Sequence, residues 1–194
     1  MTTLERATQT AVAALQSLAP LQSTLDRAAT AVGETLTRGG KLLVCGNGGS
    51  AGDSADFATE FACRFITDRR PFPAINLAAC GSLLTAHAND YGVEEMFARS
   101  VRAFGQPGDV LVALTTSGNS PNILRALEVA KAAGLRTIAL LGRDGGQARG
   151  LAEFEFIVPC HETARIQEAQ RFLLHVLCEM VEDGWLLPAS AAAK

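Results

Sequence analysis

The chain lacks any CxxC pair, and its five cysteines (Cys45, Cys63, Cys80, Cys160, Cys178) are odd in number and widely spread along 194 residues. That pattern argues against both a disulfide framework and a cysteine-built zinc site, and buried reduced thiols are expected instead. No apolar run approaches the roughly 18 to 20 residues that cross a bilayer, so no membrane partner is expected. The opening MTTLERATQTA has neither the basic start nor the apolar stretch of a secretory signal, which points to a cytoplasmic location. An excess of either charge is missing too: 17 Lys and Arg stand against 20 Asp and Glu, for a net charge of -3. The even basic footprint of a nucleic-acid-coating protein is therefore absent. Solenoid repeats and low-complexity blocks are likewise lacking. What is present, 48% hydrophobic and 19% charged residues, suits one globular domain with a real core.

Residues 1–38 place apolar side chains at helical spacing (Leu4, Ala11, Leu15, Leu18, then Leu21, Leu25, Ala28, Val32, Leu36) around a break at Pro20, and they end at Gly39-Gly40. Two helices are expected in this arm, resting on the same unit or on another subunit. From residue 41 the pattern changes to short continuous apolar runs: Lys41–Cys45, Pro73–Leu77, Asp109–Leu114, Arg136–Leu141 and Phe154–Val158. Continuous runs mark strands of a parallel sheet buried on both faces. Helical stretches fit between them at 49–66, 82–104 (broken near Gly92), 121–133 and 162–185. The alternation defines an α/β fold, a doubly wound five-stranded parallel sheet flanked by helices, over residues 39–187. Residues 188–194 read as a frayed tail.

Ligands of open α/β sheets bind beyond the carboxyl ends of the strands, and two loops there stand out. The first, Cys45-Gly46-Asn47-Gly48-Gly49-Ser50-Ala51-Gly52, follows a strand and opens a helix, where free N–H groups face an anion and glycines allow close approach. Its glycine spacing is neither the dinucleotide fingerprint nor a Walker loop. A plain strand-to-helix turn is the alternative. The second, Thr115-Thr116-Ser117-Gly118-Asn119-Ser120-Pro121, puts Ser120 at an N-cap and Pro121 at the first helical position. Capping explains those two residues but not the further hydroxyls of Thr115, Thr116 and Ser117, which together favour phosphate held by neutral donors at a helix end.

Acid–base candidates are few, because the chain has three histidines. Asp56 and Glu60 are four apart on the helix leaving the first loop, so they share a helix face; a solvated face is the alternative. His175 lies among Phe172, Leu173, Leu174, Val176, Leu177 and Cys178, where either a satisfied core residue or a proton-transfer group would sit. Gln167 lies two turns earlier on the same helix.

Taken in order, GlyAsnGlyGlySer at 46–50, Glu60 and Arg64 on the helix that follows, AlaAsnAspTyrGly at 88–92, GlyAspValLeu at 108–111, ThrThrSerGlyAsnSer at 115–120, AspGlyGly at 144–146 and ArgIleGlnGlu at 165–168 resemble the phosphoheptose isomerases of the sugar isomerase (SIS) domain family. The resemblance runs from about residue 30 to 183. It implies the SIS fold and interconversion of sedoheptulose 7-phosphate with D-glycero-D-manno-heptose 7-phosphate, the opening step of heptose supply for bacterial lipopolysaccharide and other surface polysaccharide. It also implies a homotetramer with active sites shared between subunits. By position, Ser50, Thr115, Ser117 and Ser120 would bind phosphate, with Thr116 beside them. Asn47, Gly48, Gly49, Asn89 and Asp90 would line the sugar. Thr115 stands where the family often has serine, a change that keeps the hydroxyl. Glu60 and His175 match the catalytic pair, with Gln167 also at the substrate. Zinc-binding members use a histidine at the position of Asp56, with Glu60, Gln167 and His175 as the other ligands; Zn2+ is accordingly expected here, on a harder and more negative set.

An enediol mechanism needs one positioned base and one acid near a polarised carbonyl, and Glu60 and His175 are the residue types that supply them. Other SIS proteins are non-catalytic and bind the replication initiator DnaA; the presence of both Glu60 and His175 favours the enzyme. A sugar-phosphate sensor fused to a DNA-binding domain is disfavoured by the short, weakly basic N-terminal arm. An isomerase of another sugar phosphate remains an alternative.

Overall fold

In a computed structural model, residues 1–186 are described; the sequence reading of residues 188–194 as a frayed tail lies outside them. The N-terminal arm forms α1 (Thr3–Gln16) and α2 (Gln22–Thr37), separated by a 3-10 turn that carries Pro20. α1 opens on a capping box in which the Thr2 hydroxyl accepts from the Glu5 N–H and the Glu5 carboxylate accepts from the Thr2 N–H. The elements that follow are β1 (Leu42–Gly46), α3 (Gly49–Ala62), β2 (Ala74–Asn76), α4 (Gly81–Tyr91), α5 (Met96–Phe104), β3 (Val110–Thr115), α6 (Pro121–Ala132), β4 (Arg136–Gly142), β5 (Phe154–Val158) and α7 (Thr163–Val181). The break expected near Gly92 separates α4 from α5, with Gly92 in a left-handed conformation (φ +89°).

All five strands are parallel, in the order β2-β1-β3-β4-β5. Because side chains alternate across a strand, a sheet covered on both faces needs apolar residues at every position. Leu42, Val44, Val110, Val112, Ile138 and Leu140 enter one core with α2, α3 and α7. Leu43, Cys45, Leu111, Ala113, Ala139 and Leu141 enter the other with α5 and α6. α2 is part of the first core through Leu25, Ala28, Val32 and Leu36, whereas α1 buries only Ala14.

Two boundaries differ from the sequence reading. α3 stops at Ala62, not at residue 66, because the amides beyond it are captured from far along the chain. Glu182 accepts the N–H groups of Phe65, Ile66 and Thr67 (3.4, 3.1 and 2.7 Å) and the Arg69 Nε–H (2.9 Å). α7 ends at Val181 and continues as a π-helical turn, Glu182–Leu186, whose Trp185 ring fills the space that a side chain at Gly33 would need. The cysteines are all free, but only Cys45 and Cys178 are buried; Cys160 is half-buried, and Cys63 and Cys80 are exposed. Cys63 sits at the C-cap of α3 and Cys80 at the N-cap of α4, positions outside the core that composition does not reveal. Burial pushes the Cys45 thiol up to about 12, so it stays protonated.

Candidate functional site

The carboxyl ends of β1, β3 and β5 each lead into a helix, and the starts of α3, α6 and α7 converge on one cavity of about 180 Å³. Its walls are Asn47 and Ser50 from the first loop, Leu114, Thr115, Thr116 and Ser120 from the second, and Thr163 and Gln167 from α7. The lining has hydroxyl and amide groups but no charged side chain. Free N–H groups and partial positive charge at helix starts make such a place receptive to an anion.

The second loop is held in shape by its own hydroxyls. Thr115, buried at the end of β3, places Oγ1 3.1 Å from Ser120 Oγ and 3.4 Å from Ser117 Oγ, and it accepts the Gly118 N–H at 3.2 Å. Ser120 and Pro121 occupy the N-cap and first helical positions, as the sequence indicates, yet the Ser120 hydroxyl makes no capping bond. It is turned to the hydroxyl cluster, which removes capping as its explanation. Ser117 joins the cluster without lining the cavity.

A neighbouring segment clamps this loop. Gly118 has φ +66°, and a side chain there would collide with the Gly145 carbonyl. The Ala148 N–H donates to Gly118 O (2.9 Å), and the Gln147 N–H donates to Asn119 Oδ1 (3.0 Å). In the first loop Gly48 has φ +56°, which favours glycine, and a Cβ at Gly49 would displace the Gln167 amide that lies against it. Asn47 and Asn122 exchange two side-chain hydrogen bonds of 2.9 Å, tying the first loop to α6.

α3 and α7 run side by side in parallel, and their contacts form rungs. Gly49 meets Gln167, and one turn on Arg171 meets Asp53 and Asp56. Residues four apart on a helix share a face, so Glu60 follows Asp56 on α3 and His175 follows Arg171 on α7, and both are half-buried. The His175 ring packs against Phe65 with centroids 5.8 Å apart. Glu60 also gives its backbone carbonyl to Arg69 Nη2 (2.7 Å), which fixes the end of α3. Asn89 and Asp90 are elsewhere: they lie exposed on α4, bonded to each other, and do not line the cavity.

Arg171, Thr163 and Asn122 have no counterpart in the motif reading. Thr163 was detectable only as the start of a helix at a strand's carboxyl end. Arg171 donates through Nε to Asp53 Oδ1 (2.8 Å) and pairs through Nη2 with Asp53 Oδ1 and Asp56 Oδ2 (both 2.7 Å). The Asp53 hydrogen bond, followed by the charges of Asp53 and Asp56, raises the guanidinium's pKa despite partial desolvation, so it is a permanent cation. This arrangement does not fit the zinc set of Asp56, Glu60, Gln167 and His175. The Asp56 carboxylate is already bonded to Arg171, and among the described residues no three His, Cys, Asp or Glu side chains gather in a way that would hold a metal ion.

A doubly wound parallel sheet with a hydroxyl-lined anion cavity at the strand ends defines a phosphosugar-binding α/β protein, and the model of the SIS domain matches residues 8–142. A phosphoheptose isomerase of Helicobacter pylori is 47% identical over 167 residues, 86% of this chain and 87% of the relative. The solved phosphoheptose isomerase of Neisseria gonorrhoeae superposes with a TM-score of 0.85 at 37% identity, covering 93% of this chain and 99% of its own. That of Francisella tularensis gives 0.87 at 36%, covering 93% and 98%. The chain therefore belongs to the SIS domain family and, within it, to the phosphoheptose isomerases.

Proposed function

We propose that this chain is an aldose–ketose isomerase that converts sedoheptulose 7-phosphate to D-glycero-D-manno-heptose 7-phosphate, opening heptose supply for surface polysaccharide. The observation that carries the reading is the hydroxyl-lined cavity reached by Gln167 of α7, with Glu60 and His175 further along the two helices by their spacing. Phosphate is held by Ser50, Thr115 and Ser120 with the N–H groups of the helix starts, and Ser117, whose hydroxyl joins Thr115 at the cavity edge, assists; the phosphate is remote from the reacting carbons and supplies positioning. Glu60 removes the proton from the carbon next to the carbonyl, and His175 serves the two oxygens as the enediol forms. Return of the proton to the adjacent carbon by Glu60 completes the exchange, with no net gain or loss of atoms.

We also read the protein as a homotetramer with shared sites, working in the cytoplasm. Two features support sharing. α4, which carries Asn89 and Asp90, buries none of its residues within one chain. Leu4, Val12 and Leu15 of α1 and Phe172 of α7 are exposed, and a groove lined by Leu15, Leu18, Leu21, Leu25 and Val176 runs beside Phe172; exposed apolar groups this close together favour a partner surface. Among the described residues no helix is long and apolar enough to cross a membrane. The non-catalytic DnaA-binding reading is not favoured, since Glu60 and His175 are both in place.

The test is a chromatographic assay of sedoheptulose 7-phosphate turnover by the purified protein. Glu60→Gln is expected to lower kcat by about a hundredfold, the contribution of a positioned base, with the circular dichroism spectrum unchanged. Turnover equal to the wild type in that variant overturns the assignment of Glu60, and no turnover by the wild type overturns the substrate.

A further inference from the structure

We propose that the guanidinium of Arg171 stands where zinc-type phosphoheptose isomerases hold their metal, and that this chain works with a built-in cation in place of a metal ion. The electrostatic half of this proposal rests on the isomerase reading; the metal half does not.

Arg171 is in contact with one of the four expected ligands and is spaced between two others along α7. Gln167 and His175 are one helical turn before and after it on the same stripe of α7, Asp56 is bonded to it at 2.7 Å, and Glu60 is one turn beyond Asp56 on α3. Position 56 and position 171 also match each other chemically. A histidine at 56 offers a metal a neutral nitrogen and a guanidinium only one uncharged acceptor; an aspartate offers the guanidinium an anion. The partnership is built rather than incidental, since the same guanidinium takes the Asp53 carboxylate, which is 7% exposed. A divalent ion placed among these ligands would have to take Asp56 from Arg171 and then lie beside a fixed positive charge that Asp53 still holds in place.

The substitution keeps the chemistry that a metal would serve. When the carbon-bound proton leaves, negative charge develops on the carbonyl oxygen, and a preoriented cation stabilises it without reorganisation. Arginine is charged at any working pH and its planar fork is rigid. The carboxylates use Nε and Nη2, so Nη1 is the donor that remains for the substrate.

The experiment compares zinc content with turnover. The wild-type protein, dialysed against chelator, is expected to contain substoichiometric zinc by mass spectrometry, to show no saturable zinc binding by calorimetry, and to turn over at the same rate with and without added zinc. Arg171→Leu is expected to lower kcat by about 10² to 10³, the loss typical of one donor at a developing oxyanion, with a smaller change in KM. The double variant Asp56→His, Arg171→Leu is expected to bind one zinc per chain and to show chelator-sensitive turnover. One zinc per wild-type chain, with turnover lost on chelation and restored by zinc, overturns the proposal, as does wild-type kcat in Arg171→Leu. If the wild type turns over no heptose phosphate, the isomerase reading fails, and zinc stoichiometry and calorimetry still decide the metal half.

Discussion

Two arginine–carboxylate clamps join the α3 region to α7 and its continuation, and they differ in almost everything except chemistry. Arg69 and Glu182 are 4% and 2% exposed, and Glu182 also accepts three backbone N–H groups that a longer α3 would have bonded to its own carbonyls. Arg171 and Asp56 are 46% and 53% exposed, and Arg171 is one helical turn from Gln167 of the cavity wall. A buried pair of this kind fixes where a helix ends, because leaving either partner alone inside the protein is costly. A half-exposed pair contributes little to stability, since water solvates both ions almost as well. The first clamp is thus a device of the fold, and the second is available for function.

Removing one partner from each clamp should separate them. Glu182→Ala leaves the buried Arg69 charge without its counter-ion and the Arg69 Nε–H and three amides without an acceptor, and a loss of about 3 to 5 kcal/mol is expected, read as a lower urea midpoint. A loss below about 1 kcal/mol would mean that the buried clamp does not set the end of α3. The same residue governs acid lability. Burial works against the charged Glu182 carboxyl, but the Thr67 N–H and Arg69 outweigh it and hold the pKa below the usual value. A carboxyl depressed on folding contributes stability that is complete above its unfolded pKa and is lost as pH falls through the folded one. Stability should therefore decline on the acid side, and Glu182→Ala should flatten that decline.

Smaller effects are expected at the cavity. Ser117→Ala and Ser120→Ala should each raise KM about fivefold, the equivalent of one neutral hydrogen bond, with kcat little changed. Ser120→Ala should not lower stability by the amount of a lost cap, because its hydroxyl caps nothing. Unchanged KM in both variants would move the phosphate elsewhere. Smallest of all, Arg171→Gln should unfold within about 1 kcal/mol of the wild type while its turnover falls. A stability loss as large as that of Glu182→Ala would erase the contrast between the clamps.

The parts of the molecule legible in the sequence are those fixed by neighbours along the chain. The apolar runs of β1, β3 and β4, the break at Gly92 and the two loops after β1 and β3 all declare themselves within a few residues. What stayed hidden depends on distant partners. α3 runs four residues short because Glu182, over a hundred residues later, takes the amides that follow it. Asn47 finds Asn122 across 75 residues, and Arg171 finds Asp53 across 118. Ser120 satisfies every local rule for a cap, yet its hydroxyl is claimed by Thr115 five residues back. Asp56 stood out as a departure from a metal-binding pattern, but only its contact with Arg171 says what the departure is for.

The close approach of Gly118 to Gly145 has a consequence for binding entropy. A loop that must organise around each arriving phosphate loses conformational freedom at every encounter. Here the segment 145–148 holds the hydroxyl loop in place through two backbone contacts and a glycine pair too tight for any side chain. The ordering is completed once, when the chain folds, and the cavity meets each substrate already shaped. Affinity for the sugar phosphate is then governed partly by residues that never touch it, and a side chain at Gly118, driven against the Gly145 carbonyl, would weaken binding by pushing the loop off this support.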